Sequence, residues 1–222
     1  MNLRRIAVFF AIPLGAYCLL CAAVFALQRD LIYAPPRTWR GTGEVVEIQT
    51  PAGKSYAAAK HHEGDYAVIY LGGNAEDVSL SVPTLAEAFP NHAIYALYYR
   101  GFGGSAGEPS EAALFSDSEA LFDLVHRSHR NIRVVGGSLG SGVAVHLASV
   151  RPATQLVLVT PYDSLLDLIA EKLSLLPVRL LLQDRFESWR YAPKVSAPTL
   201  ILIAERDEVI PRESTDLLLS RF

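Results

Sequence analysis

Ser138 stands between two glycines, each two residues away, in Val134-Val135-Gly136-Gly137-Ser138-Leu139-Gly140-Ser141-Gly142. A β-branched run leads in, and a helix-forming stretch leads out. Few backbones accept this arrangement. A strand that turns directly into a helix leaves no room for side chains two positions before and after the turn residue, so Gly136 and Gly140 read as steric requirements. The turn residue itself is strained. Its side chain is lifted above the C-terminal edge of a sheet, with a helix N-terminus aimed at it, a setting that favours a developing anion. A serine placed there is a candidate nucleophile. The bland alternative is a glycine-rich strand–helix turn without chemistry.

The surrounding chain supports a sheet of the right kind. Strand-like runs fall at 45–50, 55–60, 66–71, 92–98, 132–135, 155–160 and 199–204. The later ones are continuous, as in Leu156-Val157-Leu158-Val159, which suits strands buried on both faces of a mostly parallel sheet. Helical stretches at 77–89, 110–128, 139–150, 164–175 and from 211 onward alternate with them. The first two strands form an antiparallel start, joined through Pro51-Ala52-Gly53. The expected architecture is an α/β sheet with helices on both faces. With 222 residues the chain holds one such domain, 44–222.

The N-terminus is different in kind. Residues 6–27 carry no charge, with Arg4 and Arg5 before them and Gln28, Arg29 and Asp30 after. A helix of that length spans roughly 30 Å, enough for a hydrocarbon core. A cleavable signal has an apolar region of only about 7–15 residues. Residues 1–27 therefore read as a retained signal anchor, and 28–43, with Pro35, Pro36, Gly41 and Gly43, as a linker. Cleavage after Ala26 is the rival reading. The paired arginines place the N-terminus in the cytoplasm and the domain outside it, in the periplasm of a Gram-negative cell. Net charge is −3 and no basic stripe is present, so nothing points to nucleic acid. The two cysteines, Cys18 and Cys21, lie in the apolar run. The domain thus has no disulfide framework and no cysteine metal site, and neither a metal nor a cofactor is expected.

Gly72-Gly73-Asn74-Ala75-Glu76 follows the strand at 66–71. In a fold of this type, one backbone N–H of the oxyanion hole comes from such a loop and the other from the residue after the nucleophile. Asn74 and Leu139 are the candidates.

Three further segments carry a family resemblance. They are Tyr99-Arg100-Gly101-Phe102-Gly103-Gly104-Ser105-Ala106-Gly107-Glu108-Pro109-Ser110-Glu111, Gln28-Arg29-Asp30-Leu31-Ile32-Tyr33, and Asp184-Arg185-Phe186 together with Ala204-Glu205-Arg206-Asp207-Glu208-Val209-Ile210-Pro211. On these the chain resembles the membrane-anchored, single-domain α/β-hydrolases of the serine aminopeptidase-like and acylglycerol-lipase-like branch, which includes protein depalmitoylases. The resemblance implies a serine hydrolase and covers nearly the whole chain. Two positions depart from the branch. Gly72 stands where it usually has histidine, and Tyr98 stands where it usually has aspartate.

A serine hydroxyl needs a histidine to take its proton and an acid to orient that histidine. Asp207, just after the strand at 199–204, is the expected acid, and the resemblance carries the same role onto it. Asp163 is the alternative acid. The order in this fold is serine, acid, histidine, yet no histidine follows Asp207. His61, His62, His92, His126, His129 and His146 all precede it. The topology sends the first five to the opposite sheet edge, and His146 is two turns along the helix from Ser138. The chain therefore reads as C-terminally truncated, without its last strand, histidine and closing helix.

Residues 163–196 lie where this fold inserts a cap, and they are rich in leucine. An apolar cap suits an acyl chain or lipid ester, although the same leucines also suit simple packing on the sheet. The expected activity is an esterase, thioesterase or lipase acting through an acyl-enzyme on Ser138, impaired by the absent histidine. The expected partners are a small or lipid-like ester and a membrane. A non-catalytic membrane-tethered binding domain and a non-functional gene fragment are the alternatives.

Overall fold

The computed structural model of the protein describes residues 3–35, 43–50 and 53–222. One long helix, α1 (Leu3–Ile32), comes first. It is followed by β1 (Glu44–Thr50), β2 (Gly53–Lys60) and β3 (Tyr66–Leu71). A 3-10 turn at Val78–Leu80 leads into α2 (Val82–Ala88) and then β4 (Ala93–Tyr98). α3 (Glu111–Val125), β5 (Asn131–Gly137), α4 (Leu139–Val150) and β6 (Gln155–Val159) alternate after that. The cap contributes α5 (Leu165–Lys172) and α6 (Val178–Leu181). β7 (Thr199–Leu202) and α7 (Arg212–Leu219) close the order.

Among the described residues, seven strands form one sheet in the order β1-β2-β4-β3-β5-β6-β7. β2 pairs antiparallel with β1 and with β4, and the other four pairings are parallel. Alternation along the strands divides the core. Val68, Ile94 and Val135 pack with Ala86 of α2 on one face. Ile69 and Val134 pack with Leu114 and Leu121 of α3 and Val143 of α4 on the other. Each such fully buried side chain contributes roughly 1.5–3 kcal/mol by leaving water. The mostly parallel sheet between helices agrees with the sequence expectation, and each strand begins and ends within two residues of its expected bounds.

Two elements differ from expectation. The helix expected over 77–89 is broken at Ser81, because Asp77 caps a separate 3-10 turn and Pro83 opens a new helix. Residues 28–32, expected to begin a linker, are the last turns of α1. They stay helical because their side chains have partners in the cap. Gln28 Nε2 donates to the Leu181 carbonyl at 3.2 Å, and Arg29 Nε pairs with Asp184 at 3.1 Å. Residues 36–42 and the joint at Pro51 and Ala52 lie outside the described residues.

Among the described residues β7 is an edge strand that pairs only with β6, and its Leu200 and Leu202 face solvent. An exposed strand edge with an apolar face can template pairing with another strand.

Candidate active site

The turn from β5 to α4 is as tight as the sequence requires. Ser138 adopts φ 47° and ψ −119°, a left-handed conformation unfavourable for a residue with a Cβ. Its N–H donates to the Val159 carbonyl at 3.0 Å and its own carbonyl accepts the Ser141 N–H at 2.9 Å, which holds the strained peptide in place. A Cβ on Gly136 would come within 2.5 Å of the Ala144 Cβ, and one on Gly140 would collide with the Leu71 carbonyl. Glycine is needed at both positions because β5, β3 and α4 meet there.

Ser138, Leu139 and Asn74 share the wall of one cavity of about 370 Å³. Leu139 follows the turn as the first residue of α4, so its N–H has no intrahelical acceptor. Neither it nor the Asn74 N–H donates to a protein acceptor among the described residues. The Asn74 side chain is engaged elsewhere. Its Nδ2 donates to the Ile32 carbonyl and its Oδ1 accepts the Ala34 N–H at 2.9 Å, which ties the loop to the end of α1.

Glu76 holds the same loop from behind. Its Oε2 accepts the Gly73 N–H at 2.6 Å, and its Oε1 accepts from Ser81 Oγ at 2.6 Å and Tyr70 Oη at 2.8 Å. Burial, then the adjoining Glu76 carboxylate, push the Tyr70 phenol well up, so it remains a donor. A Cβ at Gly72 would meet Val78 Cγ1 at 2.5 Å and Glu76 Oε2 at 3.0 Å. Glu76 and Val78 thus occupy the space a side chain at 72 would need, which accounts for glycine there. Tyr99 Oη completes the support by donating to the Gly72 carbonyl at 3.1 Å.

The two candidate acids are in different places. Asp207 lies in the turn after β7. Its Oδ1 accepts both the Val209 and the Ile210 N–H at 2.9 Å, and Oδ2 makes no bond to a described residue. Ile210 lines the Ser138 cavity and also the adjoining depression that Asp207 faces. Asp163 instead accepts from Ser214 Oγ at 2.6 Å and lines a separate depression beside Asp167 and Arg179.

None of the six histidines lines the Ser138 cavity. His146 stacks on Phe115 with ring centroids 3.8 Å apart and bonds Glu119 at 3.0 Å. His129 bridges Tyr95 and the Gly64 carbonyl. His61 pairs with Glu44, His92 packs against Tyr66 and Phe89, and His126 stacks on Phe122.

Most of the rest of the cavity wall is apolar and comes from the cap and from α1, with Val209 and Ile210 added by the turn after β7. Leu165, Leu168, Leu173 and Leu181 come from the cap, and Val24, Gln28, Leu31 and Ile32 come from α1. The sequence reading did not place α1 at the site. Its signal was the spacing of Val24, Gln28, Leu31 and Ile32 on one helical face, with a polar Gln28 ending an uncharged run.

A strained serine on a strand–helix turn at the edge of a mostly parallel sheet is the geometry of the nucleophile turn in the α/β-hydrolase fold. No family model matches the chain. An uncharacterized protein of Mycobacterium tuberculosis is 31% identical over 99% of this chain and 85% of its own length. The Schizosaccharomyces pombe protein bem46 is 29% identical over 68% of this chain and 54% of its own. Alpha/beta hydrolase domain-containing protein 17C of Xenopus tropicalis is 30% identical over 65% and 47%. The chain spans about half the length of these last two relatives. An esterase of Pyrococcus furiosus superposes with a TM-score of 0.67 at 20% identity, covering 86% of this chain and 83% of that one. An α/β serine hydrolase without a lid from Xanthomonas campestris gives 0.57 at 16%, covering 84% and 82%. At these identities the likeness to the solved structures is one of fold. The chain has the α/β-hydrolase fold.

Proposed function

We propose that the protein is a serine hydrolase of carboxylic or thio esters, held at a membrane by α1, with Ser138 as nucleophile. The observation that carries this is Ser138 itself. It is a non-glycine residue held at φ 47° by flanking glycines, and it forms part of the wall of an apolar cavity. Strain of this kind persists only where the surroundings enforce it.

In the proposed reaction Ser138 Oγ bonds the acyl carbon as its proton passes to a base. The carbonyl oxygen takes the charge and is met by the Asn74 and Leu139 N–H groups, an arrangement worth several kcal/mol to the transition state. Collapse expels the alcohol or thiol with the proton, and water then releases the acyl group by the reverse order of events. Asp207, with Oδ2 free, is the group that would orient a histidine base. The alternative acid, Asp163, is less suited because the depression it lines shares no residue with the Ser138 cavity.

α1 supports the membrane part of the proposal. Phe10–Ile32 has a mean hydropathy of 2.2 over its most apolar window. With Arg4 and Arg5 at its start, the helix would cross with its N-terminus in the cytoplasm and the domain outside.

One observation favours a second reading, a membrane-tethered domain that binds apolar ligands without turnover: none of the six histidines lines the Ser138 cavity. Fluorophosphonate labelling separates the two readings, because it needs an activated serine. The chain is compared with one extended by the histidine-bearing C-terminal segment of a homologue. Under the hydrolase reading the extension raises labelling at Ser138 by orders of magnitude, and Ser138→Ala abolishes it. Slow labelling of both chains supports the binding domain. Equal, fast labelling of both chains would mean that one of the six histidines acts as base.

A further inference from the structure

α1 and the cap are joined along much of their length. Tyr17 Oη donates to the Leu175 carbonyl at 3.0 Å. Further along the helix, Gln28 Nε2 donates to the Leu181 carbonyl at 3.2 Å, and its Oε1 accepts the Gln183 N–H at 2.7 Å. Arg29 then pairs with Asp184. From Tyr17 to Arg29 is roughly 18 Å of helix axis at 1.5 Å per residue. Tyr17 is well inside Phe10–Ile32, the stretch long and apolar enough to span a bilayer. A polar group at that depth needs a protein partner, and Tyr17 has one in the cap backbone.

The outer surface of the cap matches that position. Leu175 is 87% exposed and Leu180 is 83% exposed. Residues 173–183 carry one charge, Arg179, and no acidic group. Exposed apolar surface that continues onto a membrane-length helix is a surface for lipid, not for water. The cavity also opens along this joint. Leu31 and Leu173 line it beside Ser138, yet are 72% and 44% exposed.

We propose that the cap segment 173–182 is seated in the same bilayer leaflet as the last turns of α1, and that the Ser138 cavity opens sideways into the hydrocarbon between them. This rests on the reading of α1 as a membrane anchor, and it deepens the proposed function by naming the source of the substrate. The acyl chain of a membrane-resident ester enters between α1 and the cap without crossing water. The helix is then both the anchor and one wall of the acyl site, with Val24 and Gln28 lining the same cavity as Ser138.

The test is photolabelling of the full chain in phosphatidylcholine vesicles that contain a trace of phosphatidylcholine with a diazirine in its acyl chain. Trypsin separates the regions of interest, cutting after Arg5, Arg29, Lys172, Arg179 and Arg185. Adducts are expected on peptide 6–29, on peptides 173–179 and 180–185, and on the peptide carrying Ser138. Leu175→Glu with Leu180→Glu should lower the cap adducts several-fold and leave those on 6–29 unchanged. Val24→Trp, which narrows the seam, should lower only the adducts on the Ser138 peptide. Adducts on 6–29 with none on 173–185 would overturn the proposal and leave the anchor standing; a second copy or a protein covering the leucines would give this result. No adducts on 6–29, with release of the protein by alkaline carbonate, would overturn the anchor reading and this proposal with it.

Discussion

Asp184 accepts from Arg29 Nε at 3.1 Å with one carboxylate oxygen and from the Glu111 backbone N–H at 3.1 Å with the other. It is buried, and it links the end of α1 to the start of α3 through the cap. Glu111 returns the contact by accepting the Arg185 N–H at 2.7 Å. Asp184→Ala therefore does more than break one ion pair. It leaves the Glu111 N–H unsatisfied and frees the last turn of α1. Arg29 is half exposed, so the pair itself is screened and contributes little. The lost backbone bond dominates, and the expected loss is about 2 kcal/mol. Thermal melts of the detergent-solubilised chain measure it, and Asp184→Asn, which keeps an acceptor, should lose less.

Glu76 gives a prediction about rate. Glu76→Ala removes the acceptor for the Gly73 N–H and for two hydroxyls, and the loop carrying Asn74 loses its brace. In a histidine-bearing extended chain, kcat for a p-nitrophenyl ester should fall about tenfold, equivalent to about 1.4 kcal/mol of barrier. KM should change little, because the apolar wall of the Ser138 cavity lies on α1 and the cap, away from Glu76. Glu76→Gln should recover part of the loss, since an amide oxygen still accepts from Gly73 and the hydroxyls of Tyr70 and Ser81 rotate to accept. Equal loss in both variants would show that the charge, and not the hydrogen bond, matters.

These two residues also mark what the sequence made legible. Gly136 and Gly140 were readable because the constraint on them is local: strand, turn and helix are adjacent in the chain, and the collision is with near neighbours and with β3. The strands were readable because burial on both faces leaves a run of apolar residues. The role of α1 was not readable, because the uncharged run that suits lipid equally suits a cavity wall. The second use shows only in the pairing of Tyr17 and Gln28 with cap carbonyls more than 150 residues away. The bracing role of Glu76 is not legible for the same reason, since its partners Tyr70 and Ser81 meet it only after folding. Gly72 looked like a departure from the family pattern and is explained by Val78 and Glu76 filling the space beside it.

His146 gives the protein an acid-sensitive point. Burial, against the opposing pull of Glu119, holds its imidazole below the ordinary value of 6.5, and Arg151 and Lys194 add to the lowering. A histidine depressed in the fold binds fewer protons there than when unfolded. Its contribution to stability is present above pH 6.5 and is lost as pH falls through the unfolded value toward the folded one. His92 shifts the same way, by burial and then by Arg133, so the two add. Urea midpoints at about pH 7.5 and about pH 5 should therefore differ by less in His146→Gln than in the parent chain. A larger difference in the variant would show that Glu119 keeps His146 charged in the fold.

The last prediction concerns the two acids, and it is measured in the chain that carries the histidine-bearing extension. Asp207 has one oxygen fixed by the Val209 and Ile210 N–H groups and the other unoccupied, in a depression that shares Ile210 with the Ser138 cavity. Asp207→Asn replaces an acceptor with an amide that holds the imidazole in the wrong tautomer, and kcat should fall on the order of 10⁴-fold. Asp163 is bound to Ser214 and faces Asp167 and Arg179 across a different depression. Asp163→Asn should leave the rate within a few-fold and cost about 1 kcal/mol of stability through the weakened Ser214 bond. Ser138→Ala sets the floor for both, because the oxyanion donors alone retain some catalysis over water. If Asp163→Asn falls to that floor while Asp207→Asn does not, the acid lies after β6 and the assignment to the turn after β7 is wrong. If both fall to it with unchanged melting behaviour, the two carboxylates act on the same imidazole, which the separate depressions they line argue against.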